Sequence, residues 1–203
     1  MSSTKTISVK ALLIESTFIV IGVAIALGAN EVREHFRDQD RAEQTLSVIA
    51  SELCRNYGIV SSRVAYYIPI RDTLRAVVRA APDARFEGAK FPQHRGARPL
   101  LFTSAGLDMA LSSTVLTHID PNLVGEIAIA YEIQAMAEML QQRFLQASIN
   151  GNLDTVSGNL SYFAESAAGS SEVKRLYEQL IPKLPNVPSD CLAAISPPSQ
   201  PTP

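Results

Sequence analysis

Cysteine is scarce in this chain: only Cys54 and Cys191 occur in 203 residues, with no Cys-x-x-Cys and no cluster of ligand-type side chains around either. That spacing gives no motif for a bound metal. Histidine is equally sparse, and His35, His94 and His118 fall on different predicted elements. The sequence contains no GxGxxG, Walker loop, HExxH or GxSxG, so no cofactor is implied and the chain does not read as an enzyme. The nearest approach to a triad is Ser104 or Ser112 with His118 and Asp120, and helix capping accounts for the serine and aspartate more simply. A net charge of −2 gives no reason to expect nucleic-acid binding. Alternating apolar and polar residues are missing beyond a few positions, which argues against strands.

What is present is one long apolar stretch near the start, Val9 to Ala29 (VKALLIESTFIVIGVAIALGA). About twenty predominantly apolar residues suffice to cross a bilayer as a helix. We therefore expect a tail at 1–8, a transmembrane helix at 9–30, a helical soluble domain at 31–184 and a Pro-rich disordered tail at 185–203. Glu15 interrupts the stretch. It reads either as an interfacial residue or as a candidate intramembrane contact with a partner helix. Gly22 with Ala26 and Ala24 with Gly28 are small residues four apart, a spacing that lets helices approach. The implied partners are the lipid bilayer and, through this helix, a membrane protein or a second copy of the chain.

A cleaved signal peptide is the rival reading, because Lys5 and Lys10 form a basic flank and Ala24-Ile25-Ala26 resembles a cleavage site. The length of the segment, the carboxylate within it and the helical continuation through Asn30-Glu31-Val32-Arg33 favour an uncleaved anchor. Basic residues on both flanks leave orientation open by charge alone. The short polar tail before the apolar segment favours a signal anchor, which places the bundle outside the cytoplasm.

Beyond the anchor, an apolar seam runs Leu46, Ile49, Leu53, Tyr57, Val60, Val64 and Tyr67 at helical spacing. Pro69 predicts a kink or break, with Leu74 and Val78 continuing the seam. Arg71, Arg75 and Arg79 form a basic stripe, either solvated, paired with acids of the second half, or an anion site. Residues 81–103 read as a long loop punctuated by Pro and Gly. Its Arg95 and Arg98 make it a candidate anion-binding or partner-binding surface. Thr103-Ser104 predicts a short helix to about Thr114. Asp120-Pro121 predicts a helix to about Ile149, burying Leu123, Ile127, Ala130, Gln134, Ala137, Leu140 and Phe144. Two further helices are expected, from about Leu153 to Ala167 and from Ser171 to Ile181, broken by Ala168-Gly169-Ser170. The fold class is thus all-α, an anchor helix leading into a long helix and then an antiparallel helical bundle.

Charge is uneven: residues 55–98 carry nine basic and three acidic residues, and 99–173 carry one basic and eight acidic. The two stretches are expected to pack as complementary neighbours, or to leave a basic face for an anionic partner. Cys54 and Cys191 are a candidate disulfide in an oxidising compartment, the alternative being two unrelated thiols.

The stretch Glu15 to Asn56 resembles a group of uncharacterised bacterial single-pass membrane proteins. It shares an apolar helix with an early Glu, a boundary Asn (Asn30) and the motif Glu52-Leu53-Cys54-Arg55-Asn56. Val32 stands where that group usually has Trp. Thr103 to Gln142 is similar to their second half, with Tyr131 and Gln134 matching a Tyr-x-x-Gln helix. The resemblance implies a bacterial single-pass membrane protein and no particular activity; with the signal-anchor layout, the expected location is the bacterial inner membrane with the soluble domain in the periplasm. The expected role is a membrane-anchored scaffold or interaction protein, with an extracytoplasmic ligand-sensing bundle as the alternative.

Overall fold

The computed structural model describes residues 9–81, 84–88, 91, 93–96, 98–150 and 153–196, with side chains from Phe18 onward. The expected tail at 1–8, the Glu15 side chain and the end of the C-terminal tail lie outside the described residues. The protein is all-helical, and among the described residues no strand forms. One isolated antiparallel bridge joins Arg85 to Thr155.

The first helix, α1, runs without interruption from Val9 to Ala80, 72 residues, or about 108 Å at 1.5 Å per residue. Pro69 lies inside it, so the expected break does not occur. Proline removes one donor to the carbonyl four residues back, and packing on both sides of the site outweighs that loss. Ile70 and Leu74, just past the proline, are fully buried. Of the expected seam, Ile49, Leu53, Tyr57, Val60, Tyr67 and Leu74 are buried, and Leu46, Val64 and Val78 are half-buried.

The other helices are α2 (Ala105–Leu111), α3 (Pro121–Ile149), α4 (Val156–Leu180) and α5 (Ser189–Ile195), with single 3-10 turns at Val115–His118 and Ile181–Lys183. Asp120 caps α3 by accepting from the Asn122 amide at 2.9 Å, with Pro121 in the first turn. Thr155 caps α4 through the Gly158 amide.

Two features differ from expectation. First, α4 is one helix through Ala168-Gly169-Ser170. These small residues are a contact surface, not a break: a Cβ at Gly169 would lie 3.8 Å from Ala137 of α3, and Ser170 is fully buried. Second, the tail after Leu184 is ordered as far as Ser196 and contains α5, held by Cys191, Val187 and Ile195 against the core.

The helix directions also differ from a simple up-and-down bundle. Tyr57 meets Glu178 while Tyr67 meets Tyr162, so α4 runs antiparallel to α1. Gln134 meets Tyr177 while Phe144 meets Tyr162, so α4 is antiparallel to α3 as well. It follows that α1 and α3 run parallel. Two parallel helices need a return connection between them, and residues 81–120 supply it. Leu140, expected in the core, is exposed, whereas Tyr131 and Gln141 are buried.

Among the described residues, no helix is long and apolar enough to cross a membrane. The helical continuity of the expected span is observed; its crossing of a bilayer is not. From Phe18 to Arg37 every side chain of α1 is exposed, including Phe18 at 71%, Ile25 at 67% and Leu27 at 67%. The bundle first touches α1 near Asp38, where His118 approaches to 3.9 Å, and Ala42.

Candidate functional site

Glu52, Asn56, Arg63, Tyr66 and Tyr67 fall on one side of α1, within about 60° of Glu52 at 100° per residue. Tyr131, Gln134, Glu138 and Gln141 form the matching face of α3. Between these two faces lies an extended strap, described at residues 95–96 and 98–104 and leading into α2, and its main chain is held largely by side chains. Tyr66 Oη accepts from the Arg95 amide at 2.9 Å and donates to the Gly96 carbonyl at 2.7 Å. Gly96 has φ of +79°, a conformation that glycine adopts without strain. Tyr67 donates to the Arg98 carbonyl, and Arg63 Nε to the Pro99 carbonyl at 3.4 Å. Gln141 accepts from the Leu100 amide, and Glu138 from the Phe102 amide at 2.8 Å.

Asn56 then bonds both polar groups of one residue. Its Nδ2 donates to the Thr103 carbonyl at 2.9 Å, and its Oδ1 accepts from the Thr103 amide at 3.2 Å. The same Nδ2 reaches Gln134 Oε1 at 3.1 Å, where Tyr177 also donates. Glu52 is 2% exposed. One of its carboxylate oxygens accepts from Tyr131 and the other from the Gly106 amide. Buried main-chain groups need partners, and a strand without a neighbouring strand must find them on side chains. That is why so many polar residues line this groove. Burial pushes the Tyr131 and Tyr177 phenols well above the usual range, Tyr131 also through its bond to Glu52. Neither hydroxyl ionises at any physiological pH, and both serve as fixed donors.

Glu52, Asn56, Tyr131 and Gln134, singled out in the sequence, come together around Thr103 and Gly106, where they hold the main chain and one another. The Glu52 and Gln141 contributions could have been inferred from polar residues set at core-facing positions of otherwise apolar helices.

The strap presents Arg95 and Arg98 outward. With Gln93 they face Ala65, Tyr66 and Pro69 of α1 across an open groove of about 370 Å³. The Arg98 guanidinium lies over the Tyr66 ring, 5.0 Å from its centroid. Arg71, Arg75 and Arg79 do not join them. They lie about 140–180° around α1 from Tyr66, and Arg71 and Arg75 pair with Asp72 on their own helix, at 2.8 and 3.9 Å. Among the described residues, no ion pair links the basic stretch 55–98 to the acidic stretch 99–173.

A second, more enclosed cavity of about 190 Å³ lies near the far end of the bundle, among Phe86, His94, Phe144, Tyr162 and Phe163. His94 sits edge-on to Phe86 and Phe163, and burial holds its imidazole below the ordinary value.

The triad candidates are dispersed. Ser104 Oγ donates to Asp108, Ser112 Oγ to the Met109 carbonyl, and Asp120 caps α3. Among the described residues, no group of three ligand-type side chains could hold a metal ion. Cys54 and Cys191 form a disulfide that ties α5 to α1. No protein-family model, curated protein or solved structure matches the chain.

Proposed function

We propose that the chain is a bilayer-anchored interaction protein, a helical bundle carried on a rigid stalk. The observation that carries this reading is the Phe18–Ala29 stretch of α1, apolar on all sides and, among the described residues, exposed along its whole length. A helix apolar all round is stable where lipid or protein surrounds it. The nine residues before it, VKALLIEST, extend the stretch to the length of a span. Residues 30–37 then set the bundle off from the bilayer surface, stiffened by the Glu34–Arg37 pair at 3.1 Å. In this reading Glu15 lies near one membrane face, and the small residues Gly22, Ala24, Ala26 and Gly28 offer a close-packing surface to a partner helix.

The disulfide supports a bundle outside the cytoplasm, because such bonds persist in oxidising compartments.

The test is membrane topology. A reporter active only outside the cytoplasm, fused after Pro203, should be active. The chain should resist alkaline carbonate extraction and be cleaved in spheroplasts treated with protease. Release of the chain by carbonate would overturn the anchor, and a silent reporter with a protected bundle would reverse the orientation.

A further inference from the structure

We propose that the groove between the strap and α1 binds a small oxyanion of the phosphate class through Arg95 and Arg98. Arg95, Arg98 and Gln93 line one groove, and among the described residues no carboxylate forms an ion pair with either arginine.

The site is held in place before any ligand arrives. Tyr66 grips the main chain on either side of Arg95, and Tyr67 and Arg63 fix the carbonyls of Arg98 and Pro99. The Arg98 guanidinium lies over the Tyr66 ring, 5.0 Å from its centroid, a cation–π contact that holds the charge at the groove. A preorganised donor set loses little entropy on binding.

The number of donors selects the ligand. One arginine fork satisfies a carboxylate. Two forks and an amide call for an anion with three or more terminal oxygens, as in a phosphate or its ester. A volume of about 370 Å³, against about 30 Å³ for each water in the liquid, leaves space for a substituent on the anion. The floor of Ala65, Tyr66 and Pro69 suits a substituent that is partly apolar.

Phosphate groups come from lipid headgroups or from solution. Tyr66 lies 37 residues beyond Ala29 on the same helix, about 55 Å along the axis. Headgroups of the anchoring bilayer end well short of that, so the ligand is a soluble one. This choice of source rests on the anchor reading; the groove itself does not.

Pyrophosphate is the probe. The full chain is placed in nanodiscs of uncharged lipid, and binding of radiolabelled pyrophosphate is followed by equilibrium dialysis at low ionic strength. Saturable binding is expected, weakened about tenfold by Arg95→Gln and by Arg98→Gln, the scale of one lost charged donor. Arg75→Gln should leave it unchanged. Far-ultraviolet circular dichroism confirms that each variant is folded; Tyr67 holds the main-chain carbonyl of Arg98, which the substitution keeps. No saturable binding, or equal weakening by Arg75→Gln, overturns the proposal. Including phosphatidic acid in the discs should not compete; if it does, the soluble source is wrong. A chain that fails to enter the discs overturns the anchor alone, and the same titration on the chain in neutral detergent then decides the groove.

Discussion

Removing the fully buried Asn56 side chain would take its partner from both the amide and the carbonyl of Thr103, a residue that is itself exposed, and one donor from Gln134 Oε1. A lost hydrogen bond costs about 0.5–1.5 kcal/mol net where water can take the partner's place. Asn56→Ala should therefore lower the unfolding free energy by about 1–3 kcal/mol, read from urea denaturation with an unchanged slope. A loss below about 1 kcal/mol would mean that the strap is held elsewhere. His94 gives a pH-dependent counterpart. Burial keeps its folded value below the ordinary 6.5, so the unfolded chain takes up the proton first as pH falls. The stability it contributes is complete above about pH 6.5 and declines below that toward the depressed folded value. Hydrogen exchange at Phe86 and His94, corrected for intrinsic rate, should quicken between about pH 6.5 and pH 5, and His94→Phe should remove that dependence. Exchange that is flat with pH in the natural chain would rule out a protonation-linked opening.

Among the elements, α4 offers the sharpest test, because its glycine was read as a break and proved to be an interior position. A Cβ at Gly169 would meet Ala137 at an ordinary contact distance of 3.8 Å. Alanine is about 1 kcal/mol better than glycine in a helix interior. Gly169→Ala should thus stabilise the protein by roughly 0.5–1 kcal/mol, seen as a higher thermal midpoint. Destabilisation would mean that α3 and α4 need a closer approach than the contact indicates. The misreading has a physical source. Local propensity treats Ala-Gly-Ser as weak helix, and only the packing of α4 between α1 and α3 shows why small side chains stand there. The same holds at Pro69, where burial of Ile70 and Leu74 overrides the missing donor. Conversely, the apolar seam of α1 and the cap of α3 were legible, since both depend on spacing and on a local hydrogen bond. The strap was legible only as a loop. Its path between α1 and α3 depends on contacts 29 to 47 residues apart, and the arginine groove depends on that path.

At the scale of the molecule, the Cys54–Cys191 bond decides whether the C-terminal segment belongs to the fold. It closes a loop with a sequence separation of 137, and a closure of that size is worth roughly 2–5 kcal/mol through the unfolded chain. The native contacts beside it are few. Tyr57 donates to the Ala194 carbonyl, Asn186 reaches Glu43 at 3.1 Å, and Val187 and Ile195 lie against the core. A helix of seven residues does not persist alone in water. Cys191→Ser should therefore lower the unfolding midpoint and free α5 for rapid hydrogen exchange, while α1, α3 and α4 stay protected. Reductant should do the same to the natural chain and nothing to the variant. The bond also reports the compartment that the anchor reading requires. When cells are acid-quenched and treated with maleimide, neither cysteine should be labelled until a reductant is added. Labelling of both without reduction would place the bundle in a reducing compartment and reverse the proposed orientation.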